Sequence, residues 1–274
     1  MLTSPLVTVD WLHQHLATKP DFDLQIVDCR FALSDPDLGR KQYEETHIPT
    51  ANHLDLNRDL SSPVGIHGGR HPLPDDRVLG TKLAAIGINS ETLVVAYDDS
   101  RFGFAARLWW LLRYYGHDLV TVLDGGYSSW IEAGYPVTNK LPEVATPGDF
   151  QPQLQTDWIV DVDKVRAIHN SPAHLLIDSR EVDRYLGNSE PIDPIAGHIP
   201  GAVNYPWQDV STPAGLALSI ESQQQRWAAI SPDVEPIVYC GSGVTACVNL
   251  LSLELAGIRG AKLYPGSWSD WISY

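Results

Sequence analysis

The chain is written twice, and that repeat limits its possible folds more than any other feature. Asp28 in "LQIVDCR" is answered 150 positions later by Asp178 in "HLLIDSR". His47 in "ETHIPTANHLDL" is answered by His198 in "AGHIPGAVNYPW" at 151, Tyr97 in "LVVAYD" by Tyr239 in "PIVYC" at 142, and Trp130 in "LDGGYSSW" by Trp271 in "YPGSWSDW" at 141. Four anchors in one order define two copies of one domain. The proline-bearing stretch "LPEVATPGDFQPQLQ" lies between them. A length of 274 residues suits two domains of ordinary size. The expected boundaries are a first domain over 1–140, a linker over 141–157 and a second domain over 158–274.

Within each copy, short β-branched runs alternate with helical patterns. Strands are expected at 24–29, 92–97 and 119–123, then at 174–178, 236–239 and 261–264. Helices are expected in "VDWLHQHLA", "FGFAARLWWLLRYYG", "VDKVRAIHN" and "VTACVNLLSLELAG". In the last, Val244, Val248, Leu251 and Leu255 share one face, and Gly257 offers a stop. Strand–helix alternation implies an α/β fold, with parallel sheets covered by helices on both faces. Sites on such sheets lie at the carboxyl ends of strands.

Composition excludes several functions. The net charge of −15 disfavours nucleic acid and anionic membranes as partners. No apolar run reaches the roughly 18 residues that span a bilayer, and "MLTSPLVTVDWLHQHL" has no basic region or long apolar core of a signal peptide. Three cysteines argue against a disulfide framework and for a reducing, cytoplasmic setting. No CxxC pair or spaced His/Cys set suggests a metal.

One cysteine is placed for chemistry. Cys240 ends the apolar run "EPIVY" and is followed by Gly241, Ser242 and Gly243 and then by a helix. Such a turn directs backbone N–H groups and a helix N-terminus at the sulfur, which stabilises negative charge there or on an anion attached to it. An inert buried cysteine would need no glycine cradle. The same turn is similar to a phosphatase loop, but the sixth residue after the cysteine, where a phosphatase needs arginine, is Ala246.

The motif C-G-S-G-V-T-A in a tandem repeat, with "IDSREVDRYLG", "GHIPGAVNYPW" and "YPGSWSDW", resembles the two-domain rhodanese family, and most closely its 3-mercaptopyruvate sulfurtransferases. The resemblance covers nearly the whole chain. It implies tandem rhodanese-type domains, the first inactive and the second catalytic. It also implies sulfur transfer through a cysteine persulfide without metal or organic cofactor. A small-molecule sulfur donor and a thiol, cyanide or thioredoxin-like acceptor are the partners it implies.

The repeat serves as an internal control on the site residues. At the Cys240 position the first copy carries Asp98, and Gly243 aligns with Arg101. The first copy is therefore expected to be silent. Arg180 aligns with Arg30, each following an aspartate by two residues. This favours a structural ion pair, and Arg180 also stands among the candidate donor-binding residues. At the same offset Arg184 aligns with Ser34, so its charge is expected to serve the donor rather than stability; the family's matching arginine helps hold the substrate anion. Gly241, Gly243, Val244 and Thr245 complete the expected binding loop. His47 and His198, in "HIP" of both copies, are expected to be architectural. Cys29, Cys247, Trp109 and Trp110 are expected to pack in the core.

Between His47 and Tyr97 the first copy is nine residues longer than the second is between His198 and Tyr239, and "SSPVGIHGGRHPLP" lies there. This loop is expected to deliver His71 to the second copy. The resemblance supplies an Asp–His–Ser arrangement, which His71 and Ser242 match. Its aspartate position holds Asn57, with Asp59 nearby. The donor is expected to be 3-mercaptopyruvate, because Gly241 and Ser242 are neutral where thiosulfate-preferring loops carry basic residues. Arg70 stands beside this expectation as a possible extra cation for thiosulfate. A noncatalytic persulfide carrier or redox module is the alternative from another class.

Overall fold

The computed structural model describes residues 4–18, 23–143 and 146–274. The chain forms two compact units. One comprises Met1–Ser62, Pro74–Gln155 and Pro213–Ala217, and the other Pro63–Leu73, Thr156–Thr212 and Leu218–Tyr274. Residues 144 and 145 of the expected linker lie outside the described residues. The amides of Gln153 and Gln155 donate to the carbonyls of Tyr115 and Tyr114 at 2.8 and 2.9 Å, within the first unit.

The first unit contains β1 (Leu6–Val7), α1 (Val9–Thr18), β2 (Leu24–Asp28), α2 (Leu38–Glu45), β3 (Asn52–His53) and α3 (Asp76–Ala85). It continues with β4 (Leu93–Tyr97), α4 (Ala105–Tyr114), β5 (Val120–Leu123) and α5 (Gly126–Glu132). Its five strands lie in the order β1-β5-β4-β2-β3, every neighbour parallel. The second unit contains α6 (Val162–Ile168), β6 (His174–Asp178), α7 (Val182–Leu186), β7 (Val203–Asn204), α8 (Ile220–Trp227), β8 (Glu235–Tyr239), α9 (Ala246–Leu255), β9 (Lys262–Leu263) and α10 (Ser267–Trp271). Its sheet order is β7-β6-β8-β9, again all parallel. The central strands β4 and β8 read as continuous apolar runs because both faces are covered.

The helix α9 departs from the one-faced pattern read in its sequence. Ala246 through Leu253 are all buried. Its two buried polar residues, Asn249 and Ser252, are satisfied internally. Asn249 Nδ2 donates to Ser179 Oγ and the Tyr205 carbonyl, and Ser252 Oγ donates to Gln223 Oε1. Gly257 follows its C-cap Ala256 in the left-handed conformation, as a helix stop requires. Trp109 and Trp110 are core residues.

Both sheets are locked to the turn after their first long strand by the same device. Asp28, at the end of β2, receives Arg30 Nε at 2.9 Å and Nη2 at 2.6 Å, and Tyr97 OH at 2.6 Å. Arg30 Nη2 also donates to the Thr46 carbonyl at 2.7 Å, and its guanidinium lies over the Tyr127 ring. In the second unit Asp178 holds Arg180, whose Nη2 donates to the Gly197 carbonyl and whose guanidinium lies over Trp268. His47 Nδ1 meets the Tyr43 carbonyl at 2.6 Å and His198 Nδ1 the Tyr185 carbonyl at 2.7 Å, each ring stacked on that tyrosine. Arg30→Ala would leave the Asp28 carboxylate buried without its counter-charge. It should cost about 3–5 kcal/mol, read as a lower denaturant midpoint; an unchanged midpoint contradicts the assignment.

Candidate active site around Cys240

Cys240 follows β8 directly and is 2% exposed. Its amide donates to Ser267 Oγ at 3.1 Å, and its carbonyl accepts from the Trp268 amide at 3.0 Å. Ser267 holds a left-handed backbone (φ 57°) to make that contact, a residue the sequence reading passed over. Gly243 turns the loop with φ 75°, where any Cβ would collide with the Pro265 carbonyl. Val244 is buried, Thr245 is the N-cap of α9, and the helix axis begins immediately above the cysteine loop.

The first unit shows what such a loop binds. The Asp98 carboxylate accepts the amides of Ser100 at 2.8 Å, Phe102 at 3.2 Å, Phe104 at 2.8 Å and Ala105 at 2.8 Å. An anion of the chain itself thus fills the turn where the second unit has Cys240. Burial pushes the Asp98 carboxyl above the ordinary range, and those four amides oppose the shift. The turn is seven residues long, Asp98 to Phe104, against six from Cys240 to Thr245. Arg101 and Phe102 both take positive φ there, so the alignment of Gly243 with Arg101 alone is too simple.

His71 is brought to the site. Its segment Pro63–Leu73 packs within the second unit, and His71 Nδ1 lies 2.8 Å from Ser242 Oγ, both residues buried. The segment is tied to the end of the chain. The Gly68 amide donates to Asp270 Oδ1 at 2.6 Å, the Arg70 amide to Ser269 Oγ at 3.1 Å, and His67 stacks on Tyr274. The two residues expected to support His71 belong to the first unit, where each has partners of its own. Asp59 is committed to Lys82 Nζ at 2.5 Å and the Asp55 amide at 2.7 Å. Asn57 is exposed in a turn capped by Asp55.

The arginines correct the repeat alignment. Tyr43 OH donates to the Ala51 carbonyl, and Tyr185 OH to the Ala202 carbonyl, so these tyrosines are equivalent. Arg184 therefore corresponds to Gln42, not Ser34, though its charge is still confined to the second unit. Thirteen residues separate Tyr185 from His198 where four separate Tyr43 from His47, and this longer segment carries Glu190 and Asp193. Arg184 Nη2 donates to Glu190 Oε1 at 2.8 Å and Asp193 Oδ2 at 3.2 Å, with Nε also on Glu190. Removing Arg184 would take one of two counter-charges from each of two buried carboxylates, so it bears on stability as well as on any donor. Arg180 is 1% exposed, with Nε and Nη2 on Asp178, Nη2 on Gly197 and Nη1 on Glu190 at 3.2 Å.

The other thiols are packed. Burial, reinforced by the Asp28 charge, pushes the Cys29 thiol well above its ordinary range. Cys247 is buried on α9, with Sγ 3.5 Å from the Gly243 carbonyl. Among the described residues no group of three His, Cys, Asp or Glu side chains is placed to hold a metal ion, and no helix is long and apolar enough to cross a membrane.

Two parallel α/β units of one plan, one ending its central strand in a buried cysteine under a helix N-terminus, define a class of tandem cysteine-loop proteins. The chain belongs to the rhodanese family: the Rhodanese-like domain model matches residues 8–133 and 161–274. It is 45% identical to the "Probable 3-mercaptopyruvate sulfurtransferase" of Pseudomonas aeruginosa, across 100% of this chain and 96% of that protein. It is 32% identical to the thiosulfate sulfurtransferase of Rattus norvegicus, across 99% and 93%. The crystal structure of SseA from Escherichia coli, described as a 3-mercaptopyruvate sulfotransferase, superposes with a TM-score of 0.85 at 30% identity, covering 97% of this chain and 100% of that one.

Glu190 gives the site a pH signature. Burial alone would raise its carboxyl, but Arg184 and the amides of Asp193 and Ile192 outweigh it and hold it below the ordinary range. Its unfolded value is about 4.3. The stabilisation is therefore complete above that value and is lost as pH falls through the folded one. Glu190→Gln should be less stable at pH 7 and show a shallower loss of Tm between about pH 5 and 3. A variant with a Tm–pH curve parallel to wild type contradicts this.

Proposed function

We propose that the protein is a sulfurtransferase that moves sulfur from 3-mercaptopyruvate to a thiophilic acceptor through a persulfide on Cys240. The observation that carries the reading is the His71–Ser242 hydrogen bond at the mouth of the cysteine loop. A hydroxyl coupled to an imidazole suits a leaving group that must gain a proton.

The Cys240 thiolate attacks the sulfur of the donor. The new S–S bond forms as the donor's C–S bond breaks, and the electron pair leaves as pyruvate enolate. Ser242, linked to His71, supplies the proton that completes pyruvate. Thiosulfate would instead release sulfite and needs no such proton. In the second step cyanide, a thiol or a thioredoxin-like protein attacks the outer sulfur and regenerates the Cys240 thiolate. Two half-reactions through a covalent intermediate give ping-pong kinetics.

The catalytic role falls to the second unit, because Asp98 cannot act as a sulfur nucleophile and its own carboxylate fills the first unit's turn. Gly241, Gly243, Val244 and Thr245 form the binding loop. Arg184 is the donor-side arginine tied to Glu190 and Asp193, and the fully engaged Arg180 holds the frame beneath it. Each of these arginines is matched by a carboxylate, which leaves the mouth without the concentrated positive charge that a dianion requires. A reducing cytoplasm, which keeps three buried thiols free, is the setting this chemistry suits.

Steady-state rates with both donors and cyanide test the reading. The specificity constant should be higher for 3-mercaptopyruvate than for thiosulfate, and a thiosulfate value equal or higher overturns the donor assignment. His71→Ala should slow the mercaptopyruvate half-reaction by about 10²- to 10⁴-fold. Wild-type rates for that variant across pH 6–9 would remove His71 from the mechanism.

A further inference from the structure

The two units treat the corner behind the central strand differently at one residue. The repeat that pairs Trp130 with Trp271 sets Gly126 opposite Ser267. A shared contact supports the match: the Tyr127 amide donates to the Asp98 carbonyl at 2.9 Å, as the Trp268 amide does to the Cys240 carbonyl at 3.0 Å. Both positions have a left-handed backbone, with φ 56° at Gly126 and 57° at Ser267. Glycine is the residue such a backbone favours, and a Cβ on Gly126 would lie 2.2 Å from the Asp98 carbonyl oxygen. The second unit nevertheless holds a fully buried side chain there. What that side chain adds is a hydroxyl: Ser267 Oγ accepts the Cys240 amide at 3.1 Å and donates to the Tyr264 carbonyl at 2.9 Å. Strain kept beside a reactive group, where the silent copy avoids it, points to a use in the reaction.

Asp98 shows why a hydroxyl is needed only behind the cysteine. The carboxylate orients itself, because four amides hold its two oxygens. A thiolate is a single atom and cannot be gripped at two ends, so its direction must come from the cysteine's own backbone. Ser267 Oγ pins the Cys240 amide, the Trp268 amide pins the Cys240 carbonyl, and the Ser269 amide holds the Gly241 carbonyl at 2.9 Å. With both peptides flanking Cys240 fixed, only rotation about the Cα–Cβ bond is left to the sulfur. We propose that Ser267 is a positioning residue for the sulfur transfer, its hydroxyl fixing the Cys240 peptide so that Sγ is presented to the incoming sulfur. Its role rests on Cys240 as the attacking atom and is independent of which donor is used.

Two variants separate the hydroxyl from the backbone. Ser267→Ala removes the hydroxyl and keeps the strained Cβ; Ser267→Gly removes the hydroxyl and installs the first unit's residue, which suits the left-handed backbone. Three quantities are measured for each: the rate of Cys240 alkylation by iodoacetamide at one pH, followed on the Cys240 peptide by mass spectrometry; kcat and KM with 3-mercaptopyruvate; and Tm. Both variants should slow alkylation and lower kcat about tenfold, with KM within about twofold of wild type. Ser267→Gly should nevertheless melt about 2–4 °C above Ser267→Ala. Reactivity then follows the hydroxyl while stability follows the backbone. Wild-type alkylation in Ser267→Gly, or reactivity that falls in step with Tm across the two variants, overturns the proposal. If Ser267→Ala does not fold, Ser267→Gly decides alone. Iodoacetamide needs no donor site, so slowed alkylation supports the role of Ser267 even if mercaptopyruvate proves not to be turned over.

Discussion

Backbone amides converging just beyond the central strand are the constraint on which the rest of this molecule depends. A parallel strand that stops and gives way to a helix leaves a ring of unpaired N–H donors at its carboxyl end. That ring demands an anion. In the first unit the chain supplies its own, the Asp98 carboxylate with four amides on it. In the second unit the equivalent place holds a thiol, which becomes an anion only in its reactive form and stays one when it carries an extra sulfur. The same architecture thus yields a self-satisfied structural module and a reactive one, with an aspartate or a cysteine at the strand end and turns that differ in length by one residue.

Charge organises what surrounds that thiol. The buried Asp178–Arg180 pair, repeated as Asp28–Arg30, ties each sheet to its following turn through a carbonyl of the opposite segment. On this frame the second unit adds Glu190 and Asp193, which draw Arg184 and Arg70 together beside Gly241. A protein of net charge −15 can present a local anion site because each arginine there is oriented, rather than merely added.

Much of this was legible in the sequence, and the failures have physical causes. The long parallel strands and the helices α1, α4, α6 and α9 were readable because burial on both faces writes continuous apolar runs and helix packing writes a 3.6-residue period. The two-residue strands β1, β3, β7 and β9 are too short to leave any period, and of these only β9 lay in an expected strand. His71 reached Ser242 as the extra length of its loop implied. Arg184 was aligned with Ser34 because two length changes nearly cancel. Thirteen residues separate Arg30 from Tyr43 against five from Arg180 to Tyr185, and the next interval reverses the difference. The anchors on either side therefore shift only from 150 to 151. Ser267 was missed because its role depends on a left-handed backbone, which a serine in "PGSW" does not announce. The balance of carboxylates on the arginines was missed because Glu190 and Asp193 sit in an irregular segment without periodicity.

The central claim is that Cys240 alone receives sulfur. The most direct test is intact and peptide-level mass spectrometry after exposure to 3-mercaptopyruvate without acceptor. The account predicts a gain of about 32 Da, one sulfur atom as a persulfide, mapped to Cys240, discharged by cyanide and lost in Cys240→Ser. A sulfur adduct found on Cys29 or Cys247 instead, with turnover surviving in Cys240→Ser, would contradict it.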